Sequence, residues 1–168
     1  LNKLHKMRMP RDGLLVAIGG GVIGDVCGLA ASLYHRGMSL IHVPTTMTGA
    51  VDSAIGGKTG INMNDTINVI GTYYHPKATF IDLRFFKTLD KRDYTAGIAE
   101  SIKKALISDA DFYKFLSNNY KKIMNYHFDS VYDLVYRSIL IKLFHTISDE
   151  HEKSNRLLLN YGHTFGQA

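Results

Sequence analysis

Five apolar residues, Leu14-Leu15-Val16-Ala17-Ile18, run without a break into Gly19-Gly20-Gly21, and this junction narrows the possible folds most. The run has the length of a strand and the glycines mark a turn. Val22 to Ala31 follows, with small residues at helix-packing spacing, and reads as a helix whose N-terminus faces that turn. Strand, glycine turn and helix in this order predict an α/β unit on a parallel sheet. Free amides and the positive end of the helix dipole suit a pyrophosphate there. The residues are Gly-Gly-Gly-Val-Ile-Gly-Asp rather than the usual dinucleotide fingerprint, so tight strand-to-helix packing without a ligand accounts for them too.

Before the junction, Leu1 to Asp12 is basic and reads as helical. After it, Ser39 to Val43 reads as a second strand ending at Pro44-Thr45-Thr46, which places two hydroxyls at the carboxyl edge of the sheet, where ligands bind in such folds. Asp52 to Asn62 then gathers Gly56, Gly57 and Gly60 around Lys58 and reads as an active-site loop. The glycines allow positive φ and close approach to a ligand, Lys58 can meet an anion, and Asp52 can accept a proton or hydrogen bond. An ordinary glycine-rich surface turn is the plainer reading. A third strand is expected over Ala78 to Asp82, followed by a short turn through Phe85 to Thr88.

From about Asp90 the apolar periodicity is helical throughout. The expected organisation is an α/β nucleotide-binding part over residues 1–83 and an all-helical part over residues 84–168. Ala96 to Ile107 carries Glu100 and Lys103 one turn apart, a spacing that by itself means a surface salt bridge. On a long helix from Val131 to Ser148, Lys142, His145 and Asp149 fall on one side with Glu152 just beyond, which reads as a solvated face. Arg156, Asn160, His163 and Gln167 are spaced as a single stripe on one terminal helix, resembling a polar site wall.

Composition excludes several classes. With 168 residues, 45% hydrophobic and 21% charged, the chain matches a globular domain and not a disordered segment. Its apolar runs are far shorter than the roughly 20 residues of a membrane span, and no secretory signal opens it, so the expected location is cytoplasmic. Cys27, the single cysteine, sits in an apolar helical run and reads as a small buried hydrophobe. The net charge of +5 is scattered, without a basic face interleaved with aromatics, which points away from nucleic acid and toward small phosphorylated ligands.

Taken together, Gly19 to Asp25, Val43-Pro44-Thr45-Thr46, Asp52-Ser53 with Gly56-Gly57-Lys58-Thr59-Gly60, Ala99-Glu100 with Lys103, and Asn160 to Gly166 resemble the 3-dehydroquinate synthase family across almost the whole chain. Related sugar phosphate cyclases share several of these motifs. The resemblance implies conversion of 3-deoxy-D-arabino-heptulosonate 7-phosphate to 3-dehydroquinate and phosphate, in the shikimate route to aromatic amino acids. It implies recycled NAD, a divalent metal (zinc or cobalt), a homodimer, and no membrane or nucleic-acid partner. It assigns NAD to Gly19, Gly20, Gly21, Val22, Ile23, Gly24, Asp25, Thr45, Thr46, Lys58 and the turn Phe85, Phe86, Lys87, Thr88. Glu100 and His163 become metal ligands, a carboxylate and an imidazole being suitable zinc donors. Arg36, Lys58, Asn68 and Arg156 match substrate-contacting positions, with Arg36 reaching toward a neighbouring subunit. Asp52, Lys103, Lys142, Glu152 and Asn160 match positions around the substrate's carboxylate and hydroxyls.

The sequence departs from the family pattern at two positions. Gln167 stands where the family has a second histidine and cannot relay a proton at neutral pH, and Ile67 stands where it has a lysine near the cofactor. The resemblance also implies an internal fragment, lacking the family's first strands, a third metal-binding histidine and a C-terminal phosphate lysine. Other readings are a different cyclase, such as one making 2-deoxy-scyllo-inosose, a metal-dependent polyol dehydrogenase releasing NADH, or a degenerate homologue that serves only for binding.

Overall fold

The apolar run before the glycines becomes β1 (Leu14–Gly19) in a computed structural model that describes residues 1–162. Helix α2 (Gly21–Leu33) starts directly after Gly20, and β2 (Ser39–Pro44) returns parallel to β1, with Leu15 opposite Leu40 and Gly19 opposite Pro44. A two-residue strand β5 (Ala78–Thr79) pairs parallel with the other side of β2, giving the order β1-β2-β5. Strand alternation puts Leu15, Ala17 and Leu40 on one face, where Cys27 and Ala31 of α2 pack against them. Leu14, Val16 and Ile18 point the other way and are exposed.

Over the far side of α2 lies a hairpin, β3 (Lys58–Met63) and β4 (Thr66–Tyr73), antiparallel with Lys58 opposite Tyr73 and a bulge between Ile61 and Met63. Asn64 makes the turn at φ 52°. The helix approaches the hairpin so closely that a Cβ on Gly28 would fall 2.5 Å from Thr59 Cγ2.

The second part is built from α3 (Lys91–Ser108), α4 (Ala110–Met124) and α5 (Phe128–Ser148). Asp90 caps α3 by accepting from Asp93 N, and Asp109 caps α4 by accepting from Phe112 N, so Asp109 alone separates α3 from α4. Its core joins Tyr94, Phe112, Leu116, Ile123 and Leu134, each contributing about 2 kcal/mol by burial. Met47, Ala50 and Val51 belong to the same core. They come from the segment after β2, whose Gly49–Ser53 forms a π-helical turn, so the two parts are locked together upstream of the lysine loop. Among the described residues no helix is long and apolar enough to cross a membrane.

Several expectations are corrected. Only Asn2–Lys6, helix α1, of the opening segment is helical. The stretch from Asp52 to Asn62 is not one loop, because its second half is β3, and Gly60 lies in that strand without positive φ. The third strand stops at Thr79 and Phe80 leads into a 3-10 turn, Leu83–Thr88. The polar side of α5 is not solvated: Lys142, His145 and Asp149 are all buried, because the 3-10 turn Asn155–Asn160 folds back over that side. That return is a 3-10 turn with Tyr161 at ψ 130°, so Arg156 and Asn160 do not share a continuous α-helix. His163 and Gln167 lie outside the described residues.

Candidate functional site

At the carboxyl edge of the sheet, Gly20 precedes α2 in extended conformation and no side chain caps the helix, which leaves its first amides facing outward. Room for a ligand's approach is set by glycine. A Cβ at Gly20 would lie 3.0 Å from Thr46 Cγ2, and one at Gly21 2.9 Å from Ser53 Oγ. Thr45 N donates to Gly19 O at 2.9 Å, so the Thr45-Thr46 corner is tied to the glycine turn. Val22 and Ile23 are exposed on the first turn of the helix. Such a cradle of amides without a competing cap fits a dinucleotide phosphate.

The 3-10 turn at the end of β5 stands on the same edge. Phe85 borders a shallow cleft with Val43 and Phe80, and Lys87 and Thr88 are exposed. Phe86 differs from expectation: its side chain is fully buried in the helical core, which leaves only its backbone to meet a cofactor.

The lysine turn is shaped by Gly56 at φ 99° and Gly57 at φ 67°, a left-handed pair that L side chains rarely adopt. Arg156, only 2% exposed, donates from Nη2 to Gly56 O at 2.9 Å and from Nη1 to Glu150 O at 2.7 Å. Its guanidinium therefore fixes the turn from below and lies 5.8 Å from the centre of the Tyr73 ring.

Above that turn opens a cavity of about 310 Å³. The hairpin supplies Lys58 and Asn68, and the π-helical turn supplies Asp52 and Ser53. Lys103 comes from α3, Lys142 from α5, and Glu152, Arg156 and Asn160 from the returning segment. Every substrate-site residue expected from the sequence is thus at this cavity except Arg36, which is exposed beyond α2 at φ 63°. Lys58 Nζ is in close contact with Glu152 Oε2, and Glu152 Oε1 accepts from Asn160 Nδ2 at 3.0 Å. Asn68 and Glu152 both adopt positive φ, local strain concentrated where the polar groups converge. The lining holds Lys58, Lys103, Lys142 and Arg156 against Asp25, Asp52 and Glu152, an excess of positive charge suited to an anionic ligand.

Asp52 is the electrostatic centre. Lys142 Nζ lies 2.6 Å and Lys104 Nζ 3.1 Å from the same oxygen, Oδ1. Burial pushes the Asp52 carboxyl up, but the two ammonium groups outweigh it and hold it well below the ordinary carboxylate range. Asp25 shows the opposite balance. Lining both this cavity and a neighbouring one of about 380 Å³ along the hairpin, it is pushed up to about 6, chiefly by burial, with Lys142 opposing and Asp52 adding to the shift. It stands where the glycine cradle passes into the charged cavity.

Glu100 reaches Lys103, with Oε2 2.6 Å from Nζ, and the pair is largely shielded instead of lying on the open surface. Among the described residues no group of three or more His, Cys, Asp or Glu side chains is placed to hold a metal ion. Of the two expected ligands Glu100 alone is described, and His163 lies outside the described residues.

Three buried groups have no site role in the sequence reading, which passes over Lys104 and takes His145 and Asp149 for a solvated face. Lys104 is fully buried, and its signal was the stripe Tyr94, Gly97, Ser101, Lys104 and Ala105, the inward face of α3. His145 joins Ser108 Oγ at 2.8 Å and Asn155 O at 3.1 Å, so Nδ1 donates to the carbonyl and Nε2 accepts from the hydroxyl. Asp149 accepts from the amides of Lys153, Ser154 and Arg156, folding the returning segment; its sequence signal was a carboxylate just past a helix end.

Residues 1–96 match the model of the 3-dehydroquinate synthase N-terminal region, and residues 97–168 match that of the C-terminal region. A 3-dehydroquinate synthase from Dictyoglomus turgidum is 46% identical over 166 residues, covering 99% of this chain and 47% of the relative. One from Helicobacter pylori is 44% identical over 168 residues, covering 100% and 47%. The chain therefore spans about half the length of the curated relatives it matches. Among solved structures, 2-epi-5-epi-valiolone synthase from Streptomyces hygroscopicus, with NAD+ and Zn2+ bound, superposes with a TM-score of 0.92 at 34% identity over 98% of this chain and 46% of that one. A 2-deoxy-scyllo-inosose synthase complexed with carbaglucose-6-phosphate, NAD+ and Co2+ gives 0.92 at 32% identity over 99% and 45%. With an α/β parallel-sheet part, a helical part and two family models that together match residues 1–168, this chain belongs to the 3-dehydroquinate synthase family.

Proposed function

We propose that the protein containing this chain is a 3-dehydroquinate synthase, converting 3-deoxy-D-arabino-heptulosonate 7-phosphate to 3-dehydroquinate and phosphate. The observation that carries the reading is the convergence of Asp52, Lys58, Asn68, Lys103, Lys142, Glu152, Arg156 and Asn160 on one cavity from separate elements. The identity to relatives named for this activity, above 40%, supports it over the other cyclases. Residues 1–83 would form the cofactor part and residues 84–168 the substrate part, with the parent protein a homodimer in which Arg36 points to the second subunit.

The cradle at Gly19 to Asp25, with Thr45 and Thr46, would hold NAD, consistent with the cofactor named in the related cyclase structures. NAD supplies a hydride acceptor that is restored within the same turnover. A divalent metal, zinc or cobalt, would be held by Glu100 and His163 and would supply a Lewis acid that polarises a substrate oxygen. The remaining work belongs to the chain's side chains. The cationic excess of the cavity draws a substrate carrying phosphate and carboxylate groups. Lys58, held by Glu152, stands at the mouth where an anion can compete for its ammonium. Asp52, kept ionised by Lys142, accepts a hydrogen bond from a substrate hydroxyl and fixes the ring's orientation.

The test is expression of the full-length protein with NAD and the heptulosonate phosphate. One phosphate released per 3-dehydroquinate, with no accumulating NADH, is the expected result. Net NADH would establish the polyol dehydrogenase reading instead, and turnover of glucose 6-phosphate alone would establish the inosose synthase reading. Tight NAD binding without turnover of either would mark a degenerate homologue.

A further inference from the structure

Lys104 has no place in the substrate cavity, yet it is among the largest fully buried side chains of the protein. An ammonium group in such a position is costly unless its protons and charge are matched. Its Nζ donates to Val51 O at 2.5 Å and lies 3.1 Å from Asp52 Oδ1. Lys142, from a different helix, reaches the same Oδ1 at 2.6 Å. Three elements thus meet on one carboxylate oxygen: the π-helical turn that carries Asp52, α3 through Lys104, and α5 through Lys142.

The two lysines are not equivalent. Lys142 lines the cavity and can exchange its partner for a substrate anion, whereas Lys104 lies behind Asp52 and is bonded to the backbone of the residue before it. We infer that Lys104 is a positioning residue: it pins the Val51-Asp52 backbone and one carboxylate oxygen from the buried side, so that Asp52 keeps its orientation when Lys142 turns toward a bound anion. This rests on the functional reading above for the substrate, though the clamp itself does not. The charged groups acting on Lys104 are Asp52 on the turn, Lys142 on α5 and Glu100 one turn back on α3. Burial lowers it to about 8, with Asp52 opposing that shift and Lys142 adding to it, so the ammonium form predominates at neutral pH.

The experiment is a double-mutant cycle in the full-length protein with Lys104→Met, Asp52→Asn and the pair, followed through kcat and KM for the heptulosonate phosphate. Lys104→Met is expected to lower kcat about tenfold with a smaller change in KM, since it removes orientation and not a substrate contact. Added to Asp52→Asn it is expected to cost nothing more, because it acts through that carboxylate. Losses that multiply, or an unchanged kcat in Lys104→Met, would overturn the assignment. If the methionine variant does not fold, Lys104→Gln takes its place in the cycle, with the same expectation. The clamp is read without substrate in protein labelled with 13C-lysine. There Asp52→Asn should shift the Lys104 Cε titration to lower pH, as the buried ammonium loses its counter-ion; an unmoved titration would also overturn the inference. A wild-type protein that makes no 3-dehydroquinate would remove the functional reading alone and leave this spectroscopic arm to decide on Lys104.

Discussion

Around the start of α2 a ligand meets backbone amides and glycine, while on the other side of Asp25 it meets the side chains of Asp52, Lys103, Lys142 and Glu152. The first region is open, formed by one glycine turn and the Thr45-Thr46 corner tied to it, and holds its shape through the sheet register. The second is enclosed, assembled from the hairpin, α3, α5 and the returning segment, and holds its shape through charges that partner one another. The difference teaches where each is vulnerable. A backbone cradle fails when a Cβ fills it, whereas a charge cluster fails when one partner is removed and another stays buried alone.

The largest expected effect follows from the second case. In the full-length protein, Lys142→Met leaves Asp52 with Lys104 as its only close cation, and stability in urea should fall by about 2–3 kcal/mol at neutral pH, less than for a wholly unpaired charge. The sign with pH is fixed by the depressed Asp52. A carboxyl lowered on folding contributes stability above its unfolded value and loses it as pH falls through the folded one, so the gap between variant and wild type should narrow in acid. A gap that is constant with pH would mean that Lys142 matters for packing and that the two regions do not differ as described.

In the cradle the corresponding change is Gly21→Val. The added Cβ would sit 2.9 Å from Ser53 Oγ and place a branched side chain where a phosphate would approach. Calorimetry should show NAD affinity reduced by at least about a hundredfold, or roughly 2.7 kcal/mol, with urea stability nearly unchanged. Equal affinity would remove the cradle from cofactor binding, and a large loss of stability would show that its glycines serve packing.

Legibility in the sequence follows the same division. β1, the glycine turn and α2 are local, and their pattern is visible in the order of residues because each is stabilised by neighbours a few positions away. The hairpin is hard to read because the apolar alternation of β4 breaks at Val69-Ile70-Gly71 and Ile67, Val69 and Ile70 are exposed, so no buried face marks the strand. Lys142, His145 and Asp149 were read as solvated since charge normally is; what buries them is the returning segment, held by Asp149 itself through amides that periodicity cannot display. The Arg156 to Gln167 stripe assumed a helix that ends, among the described residues, in a 3-10 turn. Motif resemblance still named the cavity residues, because it carries three-dimensional neighbourhood that spacing alone lacks. It passed over Lys104, which belongs to no motif in the resemblance and reaches Val51 O and the Asp52 carboxylate from behind the site.

The smallest effect concerns Asp25, at the border of the two regions. Burial, opposed by Lys142 and reinforced by Asp52, raises its carboxyl to about 6, so the folded protein holds this proton more tightly than the unfolded chain does. The stability contributed by a raised group is fully present below the unfolded value near 3.8 and is lost as pH rises through about 6. At pH 7 the ionised Asp25 therefore costs stability, on the order of 1 kcal/mol once its partial contact with water is allowed for. Asp25→Asn should be more stable than wild type by that amount at pH 7 and indistinguishable from it near pH 4, as followed by urea denaturation across the range. NAD affinity should fall severalfold in the same variant, since a group kept at a cost to stability is one that function uses. If the variant is instead less stable at pH 7, or the difference ignores pH, Asp25 is fully hydrated and the cradle and the charged cavity communicate through open water.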